Sequence, residues 1–294
     1  MYYIVYAVLY AFSLLPFWFI YMLSDAIAFF LYYVIRYRKD VIKENLQIAF
    51  PEKSEAEITK IIKEFYRNFV DNFLEMAKML SISKKEMQKR FFADTKALNS
   101  LYPTGQNTYI ILGHLFNWEY ANLSYAAGSD YPFVVAYKPI SNKIFDRIVY
   151  RIRARFGTHL VSSTNFRKDF APFAKDRYTL VLVGDQNPND TQNAYWTNFF
   201  GKKTSFAKGP ERGSKLNNAA IFMGNIYKTK RGFYTSELKL LTTDPRNTPD
   251  GYITKEFINF IEDTVRKYPS NYLWSHRRWK WEFNPELHAS MVID

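Results

Sequence analysis

The chain has 294 residues, 48% of them hydrophobic, which is ample for a packed core and excludes general disorder. A formal net charge of +12 predicts attraction to something acidic, and the absence of cysteine excludes disulfides, thiolate nucleophiles and cysteine-type zinc sites. Aromatic residues reach 19%, which suits a packed core and the headgroup zone of a bilayer equally.

Met1 to Ser24 carries no charged side chain, and the first charge is Asp25. A run of that length reaches across roughly 30 Å of hydrocarbon at about 1.5 Å per residue. Apolar character resumes from Ala26 to Ile35 and stops at the basic cluster Arg36-Tyr37-Arg38-Lys39. A cleaved signal peptide would open with positive charge and end in small residues, and neither feature is clear. Residues 1–35 therefore read as a membrane anchor, which Pro16 can divide into two helices lying in one leaflet. The competing reading is a buried core helix, which would have to cover an unusual number of tyrosines and phenylalanines. With no Lys or Arg ahead of the run and a cluster behind it, residues 36–294 are expected on the cytoplasmic side.

Pro51 to Glu57 contains Ser54 and Glu57 in a capping-box pattern. Behind it Ile58, Ile61, Ile62, Phe65, Phe69, Phe73, Met76 and Leu80 recur at helical spacing, which predicts a long amphipathic helix to about Leu80. Lys84 to Arg90 reads as a second, basic helix. From Thr108 the texture changes. Tyr109-Ile110-Ile111-Leu112, Phe133 to Ala136 and Thr179 to Val183 read as short buried strands, with helices at Ile144 to Arg155 and Phe166 to Lys175. Ala219 to Met223 and Phe233 to Leu241 add strands, and Ile253 to Lys267 a last amphipathic helix. The alternation predicts an α/β domain with a mixed, largely parallel central sheet flanked by helices.

The segment Leu112-Gly113-His114-Leu115-Phe116-Asn117-Trp118-Glu119 places a histidine and an acid just past a strand. Ligands of open α/β sheets bind at the carboxyl ends of strands. A neutral imidazole takes a proton near pH 7, and a carboxylate can fix its tautomer and stabilise its cation. Five positions along a helix turn the side chain by about 140°, so the pair meets only if His114 lies in the turn before the helix. By itself the pattern also fits a surface histidine at a helix start. A metal site would need a third ligand, and none is near in sequence.

This segment resembles the His-x4-Asp/Glu motif of the glycerolipid acyltransferase superfamily, and the chain as a whole resembles the late acyltransferases of lipid A biosynthesis. The likeness runs from the apolar N-terminus through Asn45-Leu46-Gln47-Ile48-Ala49-Phe50-Pro51-Glu52, Tyr137-Lys138-Pro139 and Arg153-Ala154-Arg155-Phe156-Gly157. It continues with Gly184-Asp185-Gln186, Phe199-Phe200-Gly201, Gly209-Pro210 and Trp274 to Lys280. Gly184 is a minor departure from the residue expected before Asp-Gln. The resemblance implies a bacterial inner-membrane enzyme that moves an acyl group from a thioester, on acyl carrier protein or coenzyme A, to a lipid hydroxyl. It implies His114 as general base and Glu119 as the acid that orients it, with no acyl-enzyme, no metal and no cofactor. Asn117, Arg153, Arg155, Asp185, Gln186, Gly209, Pro210, Glu211 and Arg212 are the expected substrate-binding residues. Arg153 and Arg155 suit phosphate through forked contacts. Gly209 to Gly213 reads as a loop opening a helix. Trp274 to Lys280 suits a membrane interface or an acidic carrier. The expected partners are acyl carrier protein and anionic lipid, the expected state a monomer, and no nucleic-acid motif is present. The residues leave open other envelope lipids as acceptor, a non-catalytic lipid-binding protein, and a hydrolase using the same pair.

Overall fold

The computed structural model describes residues 1–293. Helix α1 (Tyr2–Leu14) and α2 (Phe17–Phe30) are separated at Pro16, and α2 runs on through a π-helical turn to Ile35. Phe17–Ile35, 19 residues of mean hydropathy 1.7, is the one helix among the described residues long and apolar enough to cross a membrane. Left-handed backbone at Arg36 and Arg38 then turns the chain into α3 (Lys39–Ala49) and the long α4 (Glu55–Lys78). Ser54 and Glu57 close the capping box of α4, and its stripe Ile58, Ile61, Ile62, Phe65 and Val70 is buried.

Two acids on α4, Asp71 and Glu75, are wholly buried, and the polar side chains of α2 reach them. The Ser24 hydroxyl donates to Asp71 at 2.6 Å and the Tyr21 hydroxyl to Glu75 at 2.7 Å. Lys78 donates to the carbonyls of Ser13 and Leu15, satisfying acceptors that the end of α1 leaves free. One face of the apolar helices is thus docked on the domain, while Ile4, Val8, Trp18, Met22 and Phe29 remain exposed.

The rest of the chain runs α5 (Lys84–Arg90), β1 (Phe91–Ala93), α6 (Lys96–Asn99), β2 (Thr108–Leu112), α7 (Trp118–Gly128), β3 (Phe133–Tyr137) and α8 (Lys143–Arg153). It continues with β4 (Thr158–Ser162), α9 (Phe166–Phe170), β5 (Thr179–Val183), β6 (Ala194–Phe199), β7 (Lys202–Ala207) and α10 (Gly209–Asn217). Last come β8 (Ala220–Lys230), β9 (Phe233–Thr242), α11 (Tyr252–Lys267) and α12 (Pro285–His288). Seven strands form one sheet in the order β1-β9-β8-β2-β5-β3-β4. Every neighbouring pair is parallel except β8 with β9. β2 lies at the centre, buried at every position, which is why its sequence is an unbroken apolar run and does not alternate.

Some elements differ from the sequence expectation. Gly209 to Gly213 is already helical, with Pro210 in the first turn of α10, where its missing N–H costs nothing. The β6–β7 hairpin escapes a reading based on apolar runs, because Phe200 and Gly201 make its turn with positive φ and Phe200 is not a turn-type residue. β8 extends to Lys230, its polar end stabilised by pairing with β9.

Candidate active site

The site begins with a register. In the parallel pair β2–β5, Leu112 faces Val183, and one step on the Gly184 N–H donates to the Leu112 carbonyl at 3.0 Å. The next residues out are His114 and Asp185. The His114 backbone N–H donates to Asp185 Oδ2 at 3.0 Å, and His114 Nδ1 lies 2.7 Å from Asp185 Oδ1. Glycines precede both because α11 packs hard against the strand ends. A Cβ on Gly113 would stand 2.8 Å from Ile261 Cδ1, and one on Gly184 3.2 Å from Phe257.

Burial by itself would raise the Asp185 carboxyl, but the charge of His114, its two hydrogen bonds and a contact from the Tyr272 hydroxyl outweigh it. Asp185 is held below the usual carboxylate range and is ionised at neutral pH. An ionised acid only accepts, so Nδ1 donates to Asp185, and Nε2 is the ring's other hydrogen-bonding atom. The Gln186 amide stands 3.2 Å from that Nε2. His114 keeps 22% of its side chain exposed, against 1% for Asp185. The imidazole is thus partly open, and the acid that holds it is closed off.

Glu119 does not take the orienting role expected of it. His114 does lie before α7, but both of its ring nitrogens face residues from the end of β5, and the Glu119 carboxylate points to α8. Arg153 grips it through Nη2 at 2.5 Å and Nε at 2.9 Å, and Trp118 Nε1 donates at 3.0 Å. The physical reason is geometric: an acid in the first turn of a helix whose start is fixed by its own cap cannot swing back to the preceding loop. Asn117 supplies that cap, its Oδ1 accepting from the N–H groups of Glu119 and Tyr120. Its Nδ2 donates to Glu75 at 2.8 Å, so the fully buried Asn117 is a structural brace and not the substrate contact it was expected to be.

Two further expectations are corrected. Arg155 does not join Arg153; its guanidinium donates to the Met79 carbonyl and lies beside Tyr6 and Tyr10. Glu211 is wholly buried, and its oxygens accept from the Gly251 and Thr254 N–H groups, the Thr254 hydroxyl and Lys215. An acid that satisfies the free N–H groups at the start of α11 has nothing left for a ligand. Gly209 and Pro210 open α10, and the exposed Arg212 reaches Asn193 at 3.4 Å.

The structure also brings to the site residues that were not among the expected catalytic or substrate-binding set. The segment after α11 runs beside the His114 loop: Leu273 N–H donates to the His114 carbonyl and Phe116 N–H to the Asn271 carbonyl. This brings His276 into charge range of His114, and burial, with help from Arg278, pushes its pKa down to about 4. Asn45 donates to the carbonyls of Trp274 and His276, both at 2.7 Å, so two segments singled out far apart in sequence hold each other. Arg278 is buried beneath, donating to Asn187 and to the Ser205 carbonyl. The available signal was the pair of indoles and cations near Trp274, which reads as surface until the fold is closed. Among the described residues no three His, Asp or Glu side chains gather in a way that could hold a metal ion.

The family described as bacterial lipid A biosynthesis acyltransferase matches residues 1–281. The chain is 23% identical over 254 residues to the lipid A biosynthesis palmitoleoyltransferase of Escherichia coli (strain K12), covering 84% of this chain and 80% of that one. A lipid A biosynthesis acyltransferase of Shigella flexneri matches with the same identity and coverage. The lipid A biosynthesis myristoyltransferase of Escherichia coli (strain K12) is 20% identical over 232 residues, 78% of this chain and 71% of its own length.

Proposed function

From the premise that the chain belongs to the bacterial lipid A biosynthesis acyltransferase family, and is an acyltransferase, we propose that His114 is its general base. The acceptor is a hydroxyl of a lipid A precursor, and the donor is a fatty acyl thioester on acyl carrier protein or coenzyme A. Both donors are acidic, which the net charge of +12 favours. The acceptor proton passes to His114 Nε2 while the oxygen attacks the thioester carbonyl. The tetrahedral adduct then expels a thiolate, which takes the proton back from the imidazolium. Asp185 holds the ring and balances its transient charge, a task well suited to a buried acid that stays ionised. Glu119 and Arg153 position the start of α7 beside the base. The exposed face of α1 and α2 seats the enzyme in the inner membrane, with the site toward the cytoplasm.

The observation that carries this reading is the 2.7 Å contact between His114 Nδ1 and Asp185, on a ring that keeps 22% of its side chain exposed. Mass spectrometry of envelope lipids from cells with and without the gene tests it. One lipid A species should lose a single acyl chain on deletion and regain it with the wild-type gene, but not with His114→Ala. Full restoration by His114→Ala would remove the base from the mechanism.

A further inference from the structure

A cavity lies where α1 meets the C-terminal end of α8. It holds about 430 Å³ and is lined by Tyr6 and Tyr10 from α1, Leu80, Arg151 from α8 and Arg155 from the turn just after it. Tyr6 and Tyr10 are one helical turn apart on α1, while Arg151 lies on α8 and Arg155 in the turn that follows it, so two phenols and two guanidinium groups share the lining. The Arg151 guanidinium sits 4.9 Å from the centre of the Tyr6 ring. No carboxylate lines the cavity, and among the described residues neither arginine is paired with an acid. Burial pushes the Arg155 guanidinium below its ordinary pKa, so it is partly stripped of water with no anion to compensate. The wall formed by α1 continues into the exposed apolar residues Tyr3, Ile4 and Val8.

We propose that this cavity binds the phosphate of a membrane lipid. Forked guanidinium donors match phosphate oxygens, and the phenols add two O–H donors. The volume is that of a small-ligand site, large enough for a phosphate with its glycerol or sugar. The apolar residues of α1 beside the cavity place it where acyl chains lie along the protein while the phosphate stays at the headgroup level. The site is separate from the proton-transfer machinery and stands whether or not His114 is the base.

The test is calorimetric titration of the full chain in uncharged detergent with dihexanoyl phosphatidic acid, and separately with glycerol 3-phosphate. The lipid should bind, glycerol 3-phosphate more weakly, and Arg151→Gln/Arg155→Gln should lose at least about tenfold in affinity, the cost of one charge-assisted hydrogen bond. Lys202→Gln/Lys239→Gln, which removes the same charge from other elements, should bind as wild type. Because Arg155 also holds the Met79 carbonyl, Arg151→Gln alone and Tyr6→Phe/Tyr10→Phe provide variants that leave that contact in place, and each should weaken the lipid. Unchanged binding in the arginine variants, or an equal loss in the lysine control, would overturn the site. Equal affinity for glycerol 3-phosphate would overturn the assignment to a lipid.

Discussion

At the scale of single residues, the two acids near His114 differ in what they touch, and their variants should differ accordingly. Asp185→Asn keeps the shape but presents an amide that can donate to Nδ1, so the ring turns its proton to the wrong nitrogen. A rate loss of about 10²- to 10⁴-fold is expected, with a thermal midpoint close to wild type. Glu119→Gln weakens the grip on Arg153, whose side chain retains 21% exposure and so can recover some water. Its main effect should be on stability, on the order of 2 kcal/mol, with a rate loss that follows from displacement of α7. Parallel assays of turnover and thermal unfolding separate the two. A rate in Asp185→Asn equal to wild type would dismiss it as the orienting group. The same contrast shows how far residues were legible: His114 stood out as a histidine at a strand exit, whereas its partner came from 71 positions away. Sequence spacing favoured Glu119 because it sees only neighbours along the chain.

At the scale of elements, Glu75 is where three helices meet. It accepts from Tyr21 on α2, from Asn117 at the start of α7 and from Tyr234 on β9. Burial, and then the charge of Asp71, push its carboxyl up to about 7. An acid with a raised folded-state value stays protonated when the unfolded chain has already ionised. Its contribution is therefore complete below pH 4.5, the ordinary value, and is lost as pH rises through about 7. The loss is on the order of 3 kcal/mol. Thermal unfolding in detergent should show the wild-type midpoint falling between pH 5 and pH 8, on a slope that Glu75→Gln flattens. Parallel curves for the two proteins would refute the assignment. In sequence Glu75 and Asp71 are simply polar residues one turn apart on an amphipathic helix, and only the docking of α2 shows that both are enclosed.

Over the whole molecule, the N-terminal apolar helices and the rest of the chain are one packed body. Hydrogen bonds from Tyr21 and Ser24 tie α2 to α4, and the Arg231 guanidinium bridges Asp71 and Asp25. Apolar side chains facing away from these contacts have no cover from the protein. Replacing Trp18, Met22 and Phe29 by serine removes three of them, each worth about 1.5–3 kcal/mol when buried. The triple variant should shift from the membrane pellet to the supernatant after a carbonate wash, while the lysine control stays in the pellet. Retention of the variant would show that the outer face of α2 does not hold the protein to the bilayer. The long positive-to-aromatic reach of the chain, with Arg147 4.2 Å above Tyr2 and Arg151 over Tyr6, binds α1 to α8 in the same way.

The sequence by itself determined the strand runs of the sheet, the capped helix α4, the uncharged N-terminus and the histidine at the strand exit. These depend on periodicity, caps and composition, which are local and need no partner to be read. Tertiary structure alone decided that Asp185 faces His114, that Glu119 and Asn117 brace α7, that Glu211 closes α11, and that Arg153 and Arg155 diverge. Each of those outcomes follows from which strand lies beside which and how tightly a helix end packs. A one-dimensional pattern does not contain that information, because hydrogen bonds and charges act across space and not along the chain.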